Sequence, residues 1–146
     1  MLKRVFAGEL FPSAMDVGVL VLRVVVGISI FLKHGVEKLT DFSAMAAHFP
    51  NPIHIGAVAS LVIALIGDSI CSLLVAAGLA TRWAALFSFC NLAVAWAFVH
   101  HFVFFGQQGD HGELIVVYLG AMAALFFTGG CRYSVDHWIA RGPSGE

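Results

Sequence analysis

The chain has 146 residues, 60% hydrophobic and 12% charged, with a mean hydropathy of +0.90 and a formal net charge of -1. A soluble domain averages roughly 45–50% apolar and about 25% charged residues, so a chain of this length could not hide its apolar surface from water, whereas a bilayer can. The absence of a basic excess excludes a nucleic-acid binder, and three cysteines without a CxxC pair exclude a disulfide framework and a thioredoxin-like redox pair.

The N-terminal stretch carries Lys3 and Arg4, but Glu9, Pro12 and Asp16 interrupt it before the apolar run. It therefore lacks the order of a signal peptide and reads as a retained cytoplasmic lead. A membrane-spanning helix needs about 20 mostly apolar residues. Four segments qualify, at about residues 17–33, 55–79, 83–105 and 114–129. The expected fold is an all-α, integral membrane four-helix bundle, a single domain over residues 1–146. Ala80, Thr81 and Arg82 alone join the second and third spans, which forces a tight antiparallel hairpin. Residues 34–54 form a longer loop, with Asn51 between Pro50 and Pro52, that could cap the bundle. Gly129–Gly130 suits a left-handed helix end.

Basic residues set topology. With the N-terminus inside, five cations (Lys3, Arg4, Arg82, Arg132, Arg141) lie inside and two (Lys33, Lys38) outside. The expectation is a bacterial-type inner membrane protein with both termini cytoplasmic. That topology gathers His34, His48, His54, His100, His101 and His111 at the outer face, with Glu37, Asp41, Asp110 and Glu113. Imidazole suits zinc, copper or iron, so a metal site at His54, His100, His101 and His111 is one reading. Adjacent His100 and His101 point about 100° apart on a helix, and no HExxH spacing is present; wet interfacial histidines are the plainer account. Haem would need His54 to face His100 or His101 across helices. A deeper layer holds Arg23, Asp68 and Asn91. Charges in the bilayer are costly, and Arg23 and Asp68 are expected to pair, either as a packing clamp or as part of a ligand- or proton-handling pocket. Cys71 and Cys90 could be neighbours on the hairpin, and glycines with Ala and Ser suit close packing in lipid.

The segment LRVVVGISIFLKHGVEKL places Arg23, His34, Gly35, Lys38 and Leu39 as in the opening of the DoxX family. The hairpin GDSICSLLVAAGLATRWAAL, with Asp68, Gly78, Thr81 and Arg82, resembles that family's acidic residue followed by Leu-Leu-x-x-Gly-Leu-x-Thr-Arg. The last segment opens on Gly-Glu, at Glu113, and closes with Tyr133, Ser134 and Asp136, similar to the family's closing signature; Gly-Gly-Cys replaces the usual small-residue run at Cys131. The resemblance covers about residues 17–138 and implies a compact four-helix inner-membrane protein. Some members resemble a subunit of thiosulfate:quinone oxidoreductase, and others are linked to thiol and oxidative-stress complexes.

Three functions follow as expectations. The first is a quinone- or thiol-linked oxidoreductase component whose polar pocket is built from Arg23, Lys38, Asp68, Asn91 and Glu113, with electrons supplied by a soluble redox partner or a second membrane subunit, since the sequence carries no flavin motif. The second is a non-catalytic scaffold or accessory subunit, with the charged pair purely structural. The third is a metal-binding or transport-linked protein using the outer histidines.

Overall fold

The fold comes from a computed structural model, which describes residues 13–104 and 112–141. Lys3, Arg4, Glu9, Pro12, Asp110 and His111, all named above, lie outside the described residues, as does the end of the third expected span at residue 105. Among the described residues the secondary structure is helical throughout. Helix α1 runs Ala14–Thr40, a short α2 runs Phe42–Met45, α3 runs Ala57–Ala77, α4 runs Thr81–Val99, α5 runs Gly112–Thr128 and α6 runs Val135–Arg141. By length and apolarity, α1, α3 and α4 can each cross a membrane, and α5 is apolar but has 17 residues. At 1.5 Å per residue α5 covers about 26 Å of a hydrocarbon core about 30 Å thick.

The bundle is all-α. Helix α1 packs along the second half of α3, and α4 packs along α5. Val26, Ile30, Val75, Ala85, Met122 and Leu125 meet in the core. The outer surface stays apolar: Val21, Val25, Ile28 and Leu32 are exposed on α1, as are Val117 and Phe127 on α5. Exposed apolar rows on every long helix are the surface a lipid environment accepts and water does not. Gly27 sets the α1–α3 approach, because a Cβ there would lie 2.5 Å from the Ser72 carbonyl oxygen. Van der Waals contact between small residues drives helix association in lipid.

Helix α1 extends past the expected end of the first span, so His34 and Lys38 stand on helix rather than in a loop. All three long helices contain a π-helical stretch: Phe31–Gly35 in α1, Ile66–Cys71 in α3 and Ala95–Val99 in α4. Such wide turns interrupt the regular ladder, and in lipid every displaced backbone group needs a partner. Side chains provide several. The Ser72 hydroxyl donates to the Asp68 carbonyl (2.6 Å), the Ser88 hydroxyl to that of Gly67 (3.1 Å) and the Lys38 ammonium to that of His34 (3.2 Å).

One end of the bundle is closed by a polar latch. The α3–α4 turn passes through left-handed Gly78 and Ala80, and Asp136 caps α4. Its carboxylate accepts the Ala80 N–H (2.6 Å), the Thr81 N–H (2.9 Å) and the Thr81 hydroxyl (2.8 Å), while its own N–H donates to the Gly78 carbonyl (2.9 Å). Arg23, with 0% of its surface exposed, reaches the same place and donates to the carbonyls of Val75, Ala76 and Tyr133. A Cβ at Gly78 would collide with the Arg23 guanidinium, and one at Gly130 would crowd Ser134 and Thr81. Ser134 starts α6 by accepting the His137 N–H at its hydroxyl (3.1 Å).

Burial opposes the charge on Asp136, but the hydrogen bonds from Thr81 and Ala80, with help from Arg23, outweigh it and hold the carboxyl below its ordinary value. A lowered folded-state value means that the stabilisation is present at neutral pH and is lost as pH falls through that value. Asp136→Ala is expected to cost about 1 kcal/mol at neutral pH, the usual scale of a lost helix cap. Thermal unfolding in detergent should show the variant and the unmodified chain converging as the solution is acidified below the ordinary carboxylate range. A gap independent of pH would show that the ionised carboxylate does not hold the latch.

Candidate functional site

Away from the latch, the other half of the bundle encloses a cavity of about 700 Å³. Its walls come from α1, the 41–56 connection, α3, α4 and α5. The Asn51 side chain ties the connection to the start of α3 by accepting the Gly56 N–H (3.0 Å) and the Ser60 hydroxyl (3.2 Å). Met45, Phe49 and Ile53 from the connection, Phe87 from α4 and Ile115 and Tyr118 from α5 make the lining largely apolar. The π-helical stretches contribute His34, Asp68, Ala95 and Val99 to it. Wide turns recur at functional sites because they re-aim side chains out of the regular 3.6-residue pattern.

The polar end of this cavity is a three-residue cluster. Lys38 Nζ lies 2.9 Å from Asp68 Oδ2, with both side chains about nine-tenths buried. Asn91 Nδ2 donates to Asp68 Oδ1 at 2.9 Å. Two glycines admit this arrangement. A Cβ at Gly35 would lie 2.7 Å from the Asp68 carbonyl oxygen, and one at Gly67 would lie 2.8 Å from Asn91 Nδ2. An ammonium has three N–H groups and a primary amide two. Lys38 uses two, on Asp68 and His34, and Asn91 uses one. Among the described residues each side chain thus keeps a donor, and both line the cavity with His34.

The cluster corrects the expected Arg23–Asp68 pair. Gly35 is level with Asp68, and Arg23 is level with Val75 and Ala76. Twelve helical residues, about 18 Å, separate Gly35 from Arg23, so the two charges lie in different layers. The reason is a slide of α1: Asp16, near its start, already accepts the Arg132 N–H beyond the α3–α4 turn (3.2 Å). Counting residues inward from one common plane misses that slide.

Of the expected pocket residues, the structure brings Lys38, Asp68 and Asn91 together and sends Arg23 to the latch. Glu113 is exposed on the first turn of α5, outside the cavity lining. The signature residues divide. His34 and Gly35 belong to the cavity end, and Gly78, Ser134 and Asp136 to the latch, where Tyr133 contributes its carbonyl. Arg82 lies against Gly129 at the latch end. Among the described residues no group of three His, Cys, Asp or Glu side chains could hold a metal ion. His54 and His101 are exposed at left-handed backbone positions, and of the outer histidines His34, His48 and His100 line the cavity. The three cysteines are free; Cys71 is buried and Cys90 is exposed on the cavity side of α4. Tyr118, which the sequence did not single out as a site residue, is buried against the cavity. Its position six residues past Gly112, inside the apolar run of α5, was the available signal.

Removing one partner of a buried ion pair leaves the other charge uncompensated, at a cost of about 3–5 kcal/mol, whereas replacing both with apolar groups is often neutral. Lys38→Met is therefore expected to destabilise the bundle severely, and Lys38→Met with Asp68→Leu to recover most of the loss. Unfolding in detergent measures both, and a double variant no better than the single would show that the pair is not the unit.

The family model described as DoxX matches residues 18–101, more than half of the chain. The matched stretch takes in Arg23, the Lys38–Asp68–Asn91 cluster and the α3–α4 hairpin, and stops before α5 and α6. No curated protein and no solved structure matches the chain. The chain is a membrane protein of the DoxX family.

Proposed function

We propose that the cavity binds an amphiphilic ligand bearing carbonyl oxygens, of the quinone type, and that the protein serves as the membrane component of a redox system. The observation that carries this reading is the pair of unused donors, one on Lys38 and one on Asn91, at the polar end of an otherwise apolar cavity. Ligand sites are mostly apolar with a few convergent polar groups, and about 300–1,000 Å³ is their usual size. A quinone ring presents acceptors to such donors, and its tail suits the Phe49, Phe87 and Ile115 walls. Interconversion of quinone and quinol moves two electrons and two protons. Asp68 and His34 are the groups placed to hold or pass the protons, and the electrons come from a soluble partner or a second subunit.

The proposed orientation puts the latch end in the cytoplasm of a bacterial-type cell. Arg82, Arg132 and Arg141 lie at that end, and Lys33 and Lys38 toward the other, in keeping with the bias of basic residues to the inner side. The cavity then opens toward the outer half of the membrane.

Purification from membranes in mild detergent, followed by solvent extraction and mass analysis, tests the reading. A quinone should accompany the unmodified chain. Asn91→Leu should reduce the retained amount about tenfold, the loss expected for a hydrogen bond of roughly 1.4 kcal/mol, and Glu113→Gln should leave it unchanged. Absence of quinone together with a stable protein partner would replace this reading with that of an accessory subunit, in which the satisfied Lys38–Asp68 pair has only a structural role.

A further inference from the structure

The latch end carries a second concavity, an open cleft of about 750 Å³ between the α3–α4 turn, the end of α5 and α6. Arg82, Arg132 and Arg141 line it, with Asp16, Asp136 and His137. The two acids are already engaged: Asp136 takes three hydrogen bonds from Ala80 and Thr81, and Asp16 accepts the Arg132 N–H. None of the three guanidinium groups is in an ion pair or a side-chain hydrogen bond among the described residues. His137 adds an imidazole Nε2 that is buried and without a partner among the described residues. A buried nitrogen without a partner costs free energy unless a ligand supplies one. The charge left over in the cleft is cationic, and the donors are of the kind that grip phosphate oxygens.

The cleft is also placed where lipid head groups lie. Trp83, one of its lining residues, is 73% exposed, and Trp138 on α6 is 77% exposed. Exposed tryptophans beside lipid-facing rows such as the one ending at Phe127 mark the head-group level of a bilayer. We infer that this cleft is a binding site for the phosphate of an anionic phospholipid, gripped by Arg82, Arg132, Arg141 and His137, with Trp83 against the glycerol region. The site is separate from the cavity, and its occupancy does not depend on whether the cavity takes a quinone.

The test uses the full chain in detergent, titrated with phosphatidylglycerol, phosphatidylcholine or inorganic phosphate, with bound lipid counted by native mass spectrometry and thermal stabilisation followed in parallel. Phosphatidylglycerol should bind in preference to phosphatidylcholine, and inorganic phosphate should not displace it. Arg132→Gln and Arg141→Gln should each weaken the preference about fivefold, the scale of one basic residue at an anionic surface. His137→Gln, which keeps a donor, should retain more of the preference than His137→Phe. Equal binding of the two lipids would overturn the proposal, as would an unchanged preference in both arginine variants. Displacement by inorganic phosphate would assign the cleft to a soluble phosphorylated ligand and overturn the lipid reading.

Discussion

A carboxylate in the hydrocarbon layer has to be neutralised or paired, and the arrangement of half of this bundle can be traced to how Asp68 meets that requirement. Its two oxygens need partners from two directions, and they come from two helices: Lys38 of α1 and Asn91 of α4. Both helices must then sit close to α3 at one level. Glycine at 35 and 67 is what allows them to, because each position would otherwise place a Cβ inside contact distance of the α3 backbone or of Asn91. Once α1 and α4 are fixed there, the gap between them on the far side of α3 is left to the connection after α1 and to α5, and that gap is the cavity.

The opposite end solves a related problem by different means. Arg23 is as deeply buried as any charge in the protein, yet its partners are carbonyl oxygens at the end of α3 and before α6. A cation near the C-terminus of a helix is favoured by the partial negative charge of the unsatisfied carbonyls. Asp136 completes the logic at the neighbouring helix start, where N–H groups point outward and favour an anion. The hairpin is thus held between a cation from α1 at the end of its first helix and an anion from α6 at the start of its second. The glycines at 78 and 130 leave the space in which those two groups approach.

Much of this was legible in the residues. Composition required a bilayer, the apolar runs located the long helices, and the Ala80–Arg82 connection required the hairpin. Asp68 and Asn91 stood out as expensive polar groups in apolar segments, and Lys38 as a signature position and pocket candidate just past the first. Their partnership was not legible, because depth counted from a common plane is right only if all helices begin at the same level. Helix α1 does not; Asp16 reaches Arg132, so every residue on α1 sits lower than the count places it. Lys38 was also read as part of a loop, since the apolar stretch ends well before Thr40. That segment is helical and anchored to α3 through Lys38, by a contact between residues 30 apart in the sequence. The cavity escaped notice for a similar reason. Its walls include Phe49 and Ile53 from an irregular connection and Tyr118 from the last long helix, three pieces that no local pattern relates.

The wide turns have a consequence for how such a protein can change over time. A π-helical stretch accommodates one residue more than an α-helix over the same rise, and each α-helical residue turns the chain by about 100°. Losing one residue from Ile66–Cys71 would therefore let the stretch close to a regular α-helix, with hydropathy, span count and the phase of the flanking helix almost untouched. The lipid-facing rows would still face lipid, but the wide turn that presents Asp68 to Lys38 and Asn91 would be gone. The site is encoded in that turn, so a silent-looking deletion of a single apolar residue would strike it while leaving the span intact.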